Sequence, residues 1–182
     1  MSFERIFINS LFVLKNIGSI VLLKREKAIS SLLLKNAIRL SIAESCTGGL
    51  ISSRLTDISG SSAYIFQNFV TYANSAKVQL LGVNKNTIDK YGVVSSEVAL
   101  EMAEGLLKNY NCSLAIATTG IAGPLGATDT KPVGLIYIAI SNSKIKKAYK
   151  FEANSLLYRR IMKYAFSNKA LDLLLDFLRE NY

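Results

Sequence analysis

A strand that runs through a glycine-backed turn into a helix lies in the first third of the chain, and it narrows the choice of fold class. Residues 38–42 alternate apolar and polar side chains, which is the pattern of a strand. Residues 43–49, AESCTGG, break that pattern, and helical spacing begins at Leu50. A strand followed closely by a helix is the repeating unit of α/β domains, so we expect a layered α/β fold.

The remainder of the sequence keeps alternating helices with strands. Helices are predicted over residues 24–36, from a cap at Asn74 or Ser75 through 81, from Ser95 onward after a loop through Gly92, and over 156–179 with a break near 167–168. Strands are predicted over residues 66–72, 113–118, 133–140 and 145–151. The short link between the last two strands is typical of a β-hairpin, which makes at least one strand antiparallel. This order predicts a three-layer α/β/α domain over residues 24–182, with a mixed, mostly parallel sheet of about five strands.

Two glycine-containing turns follow predicted strands and should meet at one edge of the sheet. One turn covers residues 44–49, and the other is the loop at residues 119–126. In α/β sheets, ligands gather beyond the carboxyl ends of the parallel strands, and both turns fall there. We therefore expect the two turns to line one pocket.

The first 23 residues form an apolar extension that stands apart from the alternating pattern. Its apolar clusters at residues 6–8, 11–14 and 20–23 are separated by polar residues. No uninterrupted apolar run reaches the roughly 20 residues of a bilayer span, and alanine, typical of a signal-peptide cleavage site, first occurs at Ala28. We predict either an extra helix docked on the domain or a tail upstream of it, and no membrane partner. The segment is also a candidate surface for a second subunit, so a homo-oligomer stays open.

Histidine is absent from all 182 residues, which removes Ser-His-Asp catalysis and every histidine-liganded zinc site. The two cysteines, Cys46 and Cys112, are too few for a disulfide framework and are not spaced as a paired metal site. The composition therefore indicates a reduced, cytoplasmic protein without a structural metal. If a hydroxyl in the first turn is a nucleophile, lysine is the leading candidate for its base.

The formal net charge of +9 has three interpretations, because net charge reports on association and not on fold. It fits nucleic acid, a membrane surface or an anionic small molecule. Basic residues concentrate late in the chain, at Lys144, Lys146, Lys147, Lys150, Arg159, Arg160 and Lys163. They lack glycine–arginine repeats and any recognisable nucleic-acid-binding module. We interpret them as a solvated basic face and expect no nucleic acid partner.

Ser45 and Cys46 compete for the role of nucleophile in the first turn. A serine can be activated by a base, and a thiol at a helix N-terminus can have its pKa lowered. We favour Ser45, because Cys46 has no histidine to pair with and a cysteine on such a turn is commonly a small packed side chain. The structural alternative is that Ser45, Cys46 and Thr47 only cap the following helix.

Backbone amides and two further side chains complete the candidate chemistry. Free amides around Gly48 and Gly49 can point at an anion, or at the oxyanion that forms when a hydroxyl attacks a carbonyl. Lys77, near the start of a predicted helix, works as a base only if burial or nearby positive charge lowers its pKa; otherwise it is a solvated surface charge. Tyr72, at the end of a predicted strand, is either a proton relay or a core aromatic.

Several short motifs occur in one order along the chain. They are residues 43–49 (AESCTGG), 60–62 (GSS), 69–74 (FVTYAN) with Lys77, 92–95 (GVVS), 119–124 (TGIAGP) and 131–134 (KPVG). Together they resemble the CinA C-terminal domain family, which includes nicotinamide mononucleotide amidohydrolases, from about Lys24 to the end of the chain. Each motif alone is weak, whereas the ordered set is highly specific.

The resemblance implies hydrolysis of the carboxamide of nicotinamide mononucleotide to the nicotinic acid nucleotide and ammonia, a step of pyridine-nucleotide salvage. This small-molecule nucleotide is the partner that the resemblance implies, with no metal or cofactor. It also implies that Ser45 is the nucleophile, Lys77 the general base and Tyr72 its proton-relay partner. Substrate contacts are expected from Thr47, Gly48, Gly49, Thr119, Gly120, Gly123 and Arg159.

The sequence departs from the family pattern after the last predicted strand. Members often carry phenylalanine-x-glycine-aspartate-arginine there, whereas this chain has FEANS at residues 151–155, with Ser155 in place of the arginine. Arg159 or Arg160 is a candidate replacement from the next helical turn, since a guanidinium binds phosphate well. The departure motivates an alternative function, a catalytically weak or inactive CinA-like module that binds pyridine nucleotides.

Overall fold

Five strands and seven α-helices occur in residues 3–182, which a computed structural model of the chain describes. Of the predicted apolar extension, Met1, Ser2 and the side chains of residues 18–22 lie outside the described residues. The strands are β1 (Leu40–Glu44), β2 (Ile65–Val70), β3 (Leu114–Gly120), β4 (Leu135–Asn142) and β5 (Lys146–Glu152). The helices are α1 (Phe3–Leu22), α2 (Lys24–Lys35), α3 (Leu50–Thr56), α4 (Asn74–Leu81), α5 (Lys85–Tyr91), α6 (Ser96–Asn109) and α7 (Arg159–Asn181).

The strands form one mixed sheet in the order β2-β1-β3-β4-β5. Strand β1 is parallel to both β2 and β3, while β4 is antiparallel to β3 and to β5. Among the described strands, β4 therefore runs against the other four, which confirms the predicted mixed, mostly parallel sheet. The predicted hairpin closes because the Asn142 side chain accepts hydrogen bonds from the amides of Lys144 and Ile145.

Large and small side chains lie on opposite faces of the sheet, because side chains alternate along a strand. Leucine and isoleucine side chains such as Leu40, Ile42 and Ile116 face α2, α3 and α7 in the main core. Alanines such as Ala43 and Ala115 face α6 on the other side. The helices thus form a layer on each face of the sheet, and the small alanine side chains let α6 lie close to it.

The apolar extension is a helix, α1, that packs against the rest of the protein through few side chains. Ile8 and Phe12 rest on the main core. Asn9 is buried, and its side chain donates to the Leu156 carbonyl oxygen and accepts from the Tyr158 amide. Among the residues that the structure describes, no helix has the length and apolar character needed to cross a bilayer.

Two local predictions are wrong between residues 70 and 95. The region before Gly92 contains helix α5, which the sequence pattern missed because α5 has seven residues, none of them buried, and so lacks an apolar stripe. The predicted cap of α4 at Asn74 or Ser75 is replaced by Ala73, which has no capping side chain. Ser95 does cap α6 as expected, by accepting a hydrogen bond from the Val98 amide.

The break predicted near Ser167 and Asn168 is also wrong, because α7 continues unbroken through these residues. Arg54 of α3 donates to Ser167 Oγ at 2.7 Å and to Asn168 Oδ1 at 2.8 Å. The same guanidinium forms a salt bridge with Glu26 of α2, and both side chains are buried. The two polar residues therefore serve as hydrogen-bond acceptors for a buried charge that ties α2, α3 and α7 together.

Replacing Arg54 by methionine is expected to lower the free energy of unfolding by about 3 kcal/mol, because it leaves Glu26 as a buried charge without its partner. Urea unfolding at pH 7 measures the effect. Lys147→Met is the matched control, since Lys147 pairs with Glu180 on the surface and such pairs contribute less than about 1 kcal/mol. Equal losses in the two variants would contradict the structural role of the buried pair.

Candidate active site

Glu44, the last residue of β1, organises the first turn. Its buried carboxylate accepts hydrogen bonds from the amides of Ile51 (3.1 Å) and Ser52 (2.8 Å) and from the Ser52 hydroxyl (2.7 Å). These amides belong to the first turn of α3, where backbone donors lack helical partners. A carboxylate there is also favoured by the helix dipole. The alternative that the side chains of residues 45–47 cap α3 is therefore wrong.

Ser45 faces Lys77 instead. The Ser45 hydroxyl oxygen lies 3.0 Å from Nζ of Lys77, across 32 positions of sequence. Lys77 is 1% exposed, so it is not the solvated surface charge that an isolated lysine commonly is. Its Nζ also donates to the carbonyl oxygens of Thr71 at 2.6 Å and Tyr72 at 3.5 Å. The turn between β2 and α4 thus supplies the lysine and two of its hydrogen-bond acceptors.

The surroundings of Lys77 suit a general base. Burial lowers the pKa of its amine from 10.5 to about 8, against the opposing influence of nearby Cys46. A neutral amine carries two hydrogens and one lone pair. If the carbonyls of Thr71 and Tyr72 accept these two hydrogens, the lone pair can accept the proton of the Ser45 hydroxyl, 3.0 Å away.

Cys46, the alternative nucleophile, is buried, and its burial makes the thiol unreactive. Its side chain belongs to the main hydrophobic core and is 4% exposed. Burial raises the pKa of the Cys46 thiol to about 12, so the thiol stays protonated near neutral pH. The geometry therefore favours Ser45 over Cys46, in agreement with the sequence argument.

A cavity of about 230 Å³ opens next to the Ser45–Lys77 pair, at the carboxyl ends of β1 and β3. It is lined by Ser45, Cys46, Tyr72, Asn74, Lys77, Val93, Val94, Thr119, Gly120, Ile121, Ala122, Leu125, Gly126 and Arg159. The lining includes residues of both turns, as predicted. The cavity lies where ligands bind in α/β sheets.

Tyr72 and Arg159 stand together at this cavity. Arg159, the first residue of α7, donates to the Tyr72 hydroxyl at 2.5 Å and to the Gly123 carbonyl oxygen at 2.6 Å. Both side chains are exposed, so a ligand can reach them. Tyr72 meets Lys77 through its backbone carbonyl, whereas its hydroxyl contacts the guanidinium. Ser155, at the position where the family pattern has arginine, is exposed and does not line the cavity.

Of the other residues predicted to contact the substrate, some line the cavity and some do not. Thr119 and Gly120 line the cavity, with the Thr119 hydroxyl donating to the Val93 carbonyl oxygen at 2.8 Å. Thr47, Gly48, Gly49 and Gly123 are absent from the lining. The buried Thr47 hydroxyl pairs with that of Thr118, and the Gly48 amide donates to the Ser45 carbonyl oxygen.

Lys163 lies over the first turn at Gly48, and this contact was not predicted. A Cβ atom on Gly48 would come within 2.9 Å of Lys163 Nζ, and Gly48 has a φ of +62°. The end of the flexible Lys163 side chain could move aside, whereas the positive φ favours glycine at this position. The turn thus keeps Gly48 for its backbone shape.

Sequence reasoning missed Glu44, Asn74 and Leu125. Glu44 and Asn74 lie within the motifs at residues 43–49 and 69–74, so their positions carried a signal, but nothing local showed which group they would contact. Leu125 lines the cavity and is 86% exposed, which makes it an apolar side chain available to a ligand. An exposed leucine in a loop leaves no periodic pattern by which it could be found.

Elsewhere, a larger cavity of about 450 Å³ lies between α6 and the β4–β5 hairpin. Three of its four charged side chains have partners: Lys146 pairs with Glu104, while Glu101 accepts hydrogen bonds from the Asn84 amide and the Thr87 hydroxyl. The smaller cavity, where the Ser45 hydroxyl meets the buried Lys77 amine, is therefore the candidate active site. Within the described residues, no group of three or more cysteine and acidic side chains is arranged to hold a metal ion.

The lowered pKa of Lys77 predicts how stability depends on pH. Between about pH 8 and 10.5 the unfolded chain binds a proton at Lys77 that the folded chain does not, so the free energy of unfolding rises with pH in this window. We expect the wild type to gain up to about 3 kcal/mol relative to Lys77→Met between pH 7 and 10.5. Denaturant unfolding of both proteins at several pH values measures the difference, and a constant difference would contradict the burial of a neutral amine.

Together, the fold and the site define a class: a histidine-free, three-layer α/β/α domain with a buried serine–lysine pair at the carboxyl ends of its parallel strands. A model of the CinA C-terminal domain matches residues 23–178. The chain therefore belongs to the CinA C-terminal domain family.

Relatives with curated sequences support this assignment. A CinA-like protein from Chloroherpeton thalassium is 45% identical over 155 residues, which cover 84% of this chain and 37% of that protein. A CinA-like protein from Chlorobium limicola is 43% identical over 158 residues, covering 85% of this chain and 37% of that protein. The chain thus spans a little over a third of the length of these relatives.

Solved structures show the same fold. The competence/damage inducible protein CihA from Agrobacterium tumefaciens is 37% identical, with a TM-score of 0.79 over 85% of this chain and 95% of that chain. A CinA superfamily protein from Klebsiella pneumoniae is 25% identical, with a TM-score of 0.82 over 86% of this chain and 97% of that chain.

Proposed function

We propose that this protein is an amidohydrolase that deamidates nicotinamide mononucleotide to nicotinic acid mononucleotide and ammonia. The observation that carries the proposal is the buried Lys77 amine, 3.0 Å from the Ser45 hydroxyl, with its pKa lowered to about 8. Such a pair can generate a serine nucleophile without histidine. The choice of substrate rests on the resemblance to nicotinamide mononucleotide amidohydrolases within the CinA family.

In the first half of the reaction, neutral Lys77 takes the proton of the Ser45 hydroxyl as Ser45 Oγ bonds to the carboxamide carbon. The resulting oxyanion needs backbone donors. The amides of Ser45 and Gly48 already donate to the carbonyl oxygens of Thr118 and Ser45, which leaves the amides of Cys46, Thr47 and Gly49 as the candidate donors on this turn. Protonated Lys77 then returns its proton to the amide nitrogen, the C–N bond breaks, and ammonia leaves.

In the second half, water hydrolyses the acyl-enzyme. Lys77, again neutral, takes a proton from the water as its oxygen bonds to the acyl carbon, and the proton then passes to Ser45 Oγ as the ester bond breaks. The products are the nicotinic acid nucleotide and free Ser45. One base serves both halves because the Lys77 amine stays beside Ser45 Oγ, next to the carbon that first the serine oxygen and then the water oxygen attacks.

Arg159 is the candidate partner for the phosphate of the substrate. Its guanidinium is at the cavity, is exposed, and is oriented by the Tyr72 hydroxyl and the Gly123 carbonyl oxygen. A guanidinium held in this way suits an anionic oxygen. In this proposal Arg159 replaces the arginine that the family pattern places at Ser155, and Tyr72 positions Arg159 besides any part it takes in proton transfer.

The test is release of ammonia by the purified protein from nicotinamide mononucleotide, nicotinamide riboside and nicotinamide between pH 6 and pH 10. We expect turnover of the nucleotide, with kcat/KM at least about tenfold lower for the two compounds that lack phosphate. No release above a Ser45→Ala control at any pH would overturn the amidohydrolase. Binding of the nucleotide without turnover would instead support the alternative of an inactive binding module, which Ser155 motivates.

A further inference from the structure

Helix α1 points many of its large apolar side chains toward solvent. A helix that only covers the domain would point them toward the core. Of the fifteen large hydrophobic side chains that are exposed in the described residues, seven belong to α1. Phe3 is 83% exposed and Leu14 is 69% exposed. A surface helix ordinarily turns such residues inward. We therefore expect a binding partner to cover this exposed apolar face.

Polar contacts hold α1 in this orientation. Arg5 Nε donates to the Leu156 carbonyl oxygen at 3.1 Å, and the Asn9 side chain accepts from the Tyr158 amide at 2.8 Å. The Asn16 side chain accepts from Asn168 Nδ2 at 2.9 Å. These residues lie on the inner face of α1, from its first turns to residue 16. The helix cannot roll its apolar face inward without breaking these contacts.

We propose that the outward face of α1 is a dimer interface, occupied by α1 of a second copy of this chain in antiparallel orientation. The face recurs with helical spacing at Phe3, Ile6 and Phe7, Ser10, Val13 and Leu14, and Ile17, which is the pattern of a two-helix interface. Because α1 precedes residue 23, the interface belongs to a segment outside the match to the family model.

The face is complementary to itself when two copies pair about a two-fold axis at Ser10. Phe3 of one copy then lies opposite Ile17 of the other, Ile6 opposite Leu14, and Phe7 opposite Val13. The small Ser10 side chains meet at the axis, where the helices come closest. A two-fold axis requires one patch to match itself in this way.

The exposed apolar area of α1 is also close to what a dimer interface needs. The six large apolar side chains of this face offer on the order of 600 Å² of exposed surface per copy, against about 800 Å² per partner in a standard interface. A lipid surface fits less well, because a helix lying on a membrane turns a lysine- and arginine-rich face to water. The face of α1 opposite the apolar one instead packs on the protein, through Ile8, Asn9 and Phe12.

Sedimentation velocity of the whole chain over about 1–100 µM tests the proposal. We expect a dimer of twice the 20.0 kDa chain mass, with a dissociation constant on the order of 10 µM or lower. Exchanging both Phe7 and Leu14 for serine should weaken the dimer at least about 100-fold without unfolding the chain, because both side chains are exposed in one copy. Leu34→Ser, on the exposed surface of α2, is the matched control and should stay dimeric.

Disulfide trapping in a Cys112→Ser background tests the antiparallel arrangement, in which Ile6 of one copy lies opposite Leu14 of the other. We expect an oxidised equimolar mixture of Ile6→Cys and Leu14→Cys chains to form a covalent dimer, and neither variant to do so alone. Cross-linking of each variant with itself, and not with the other, would overturn the antiparallel pairing. A wild-type chain that is monomeric at 100 µM would overturn the dimer, whether or not it sediments with anionic vesicles; vesicle binding lost in the serine variant would assign the face to lipid.

Discussion

Replacing Ser45 by alanine is expected to reduce ammonia release from nicotinamide mononucleotide by at least about 10⁴-fold, because Ser45 carries the hydroxyl that lies 3.0 Å from the buried Lys77 amine. The neighbouring Cys46 cannot take over, since burial raises the pKa of its thiol to about 12. The fold should be unaffected: the Ser45 hydroxyl contacts Lys77 and does not cap α3, whose first amides are held by Glu44. Steady-state kinetics and circular dichroism measure the two effects.

Cys46→Ala is the matched control at the adjacent position. It removes a buried thiol that packs in the main core, so we expect activity within about threefold of the wild type and a loss of stability of about 1 kcal/mol. If Cys46→Ala abolished turnover while Ser45→Ala retained it, the nucleophile would be the thiol and the proposed mechanism would be wrong. Retention of nucleotide binding by Ser45→Ala would further separate chemistry from recognition.

Replacing Lys77 by methionine is expected to lower kcat/KM by about 10³-fold and to remove the dependence of the rate on pH that this amine causes. In the proposed mechanism the active form of Lys77 is neutral. Below its pKa of about 8 the neutral fraction falls tenfold per pH unit, so kcat/KM should rise with pH and level off above about pH 8. Rates measured between pH 6 and 10 give the profile.

Lys77→Arg sharpens this test, because it keeps a positive charge near Ser45 but cannot supply a neutral base. We expect Lys77→Arg to be as inactive as Lys77→Met across the whole pH range. Lys85→Met, at an exposed lysine of α5, is the matched control and should keep both the rate and the pH profile of the wild type. An active Lys77→Arg enzyme would show that the residue acts through its charge and not as a base.

The burial of Lys77 couples activity to stability. The desolvation that lowers its pKa also disfavours the protonated amine in the folded chain, so the folded protein below pH 8 is less stable than it would be with an unperturbed lysine. The same shift that yields a neutral base near physiological pH thus has a cost in folding free energy. Active sites commonly show this relation between function and stability.

Much of the fold was predictable from local pattern. The first strand, the helix from Ser95 and the closing hairpin each left a periodic or turn signal, and each is present in the structure, although the strand predicted at residues 38–42 lies at Leu40–Glu44. The failures have physical reasons. Helix α5 buries no side chain and so has no apolar stripe, and Ser167 with Asn168 resembled a helix stop while serving as acceptors for Arg54.

The sequence predicted which residues form the candidate site better than it predicted what their side chains contact. Ser45, Lys77, Tyr72 and Thr119 all line one cavity, as the ordered motifs led us to expect. Their partners were not predictable, because a capping carboxylate and a capping hydroxyl leave the same sequence signal at the start of a helix. The Glu44 carboxylate accepts hydrogen bonds from the first amides of α3, and the Tyr72 hydroxyl contacts Arg159, 87 positions away.

The sequence by itself determined the α/β class, the family and the demand that any nucleophile in the first turn use a base other than histidine. These three conclusions depend on residue identity and on periodicities of two and 3.6 residues, which can be read from short stretches of sequence. Only the tertiary structure decided that Lys77 is buried against Ser45, that Cys46 is withdrawn into the core and that α1 turns its apolar face outward. Burial and distance depend on which elements pack together, and packing joins residues that are far apart in the chain.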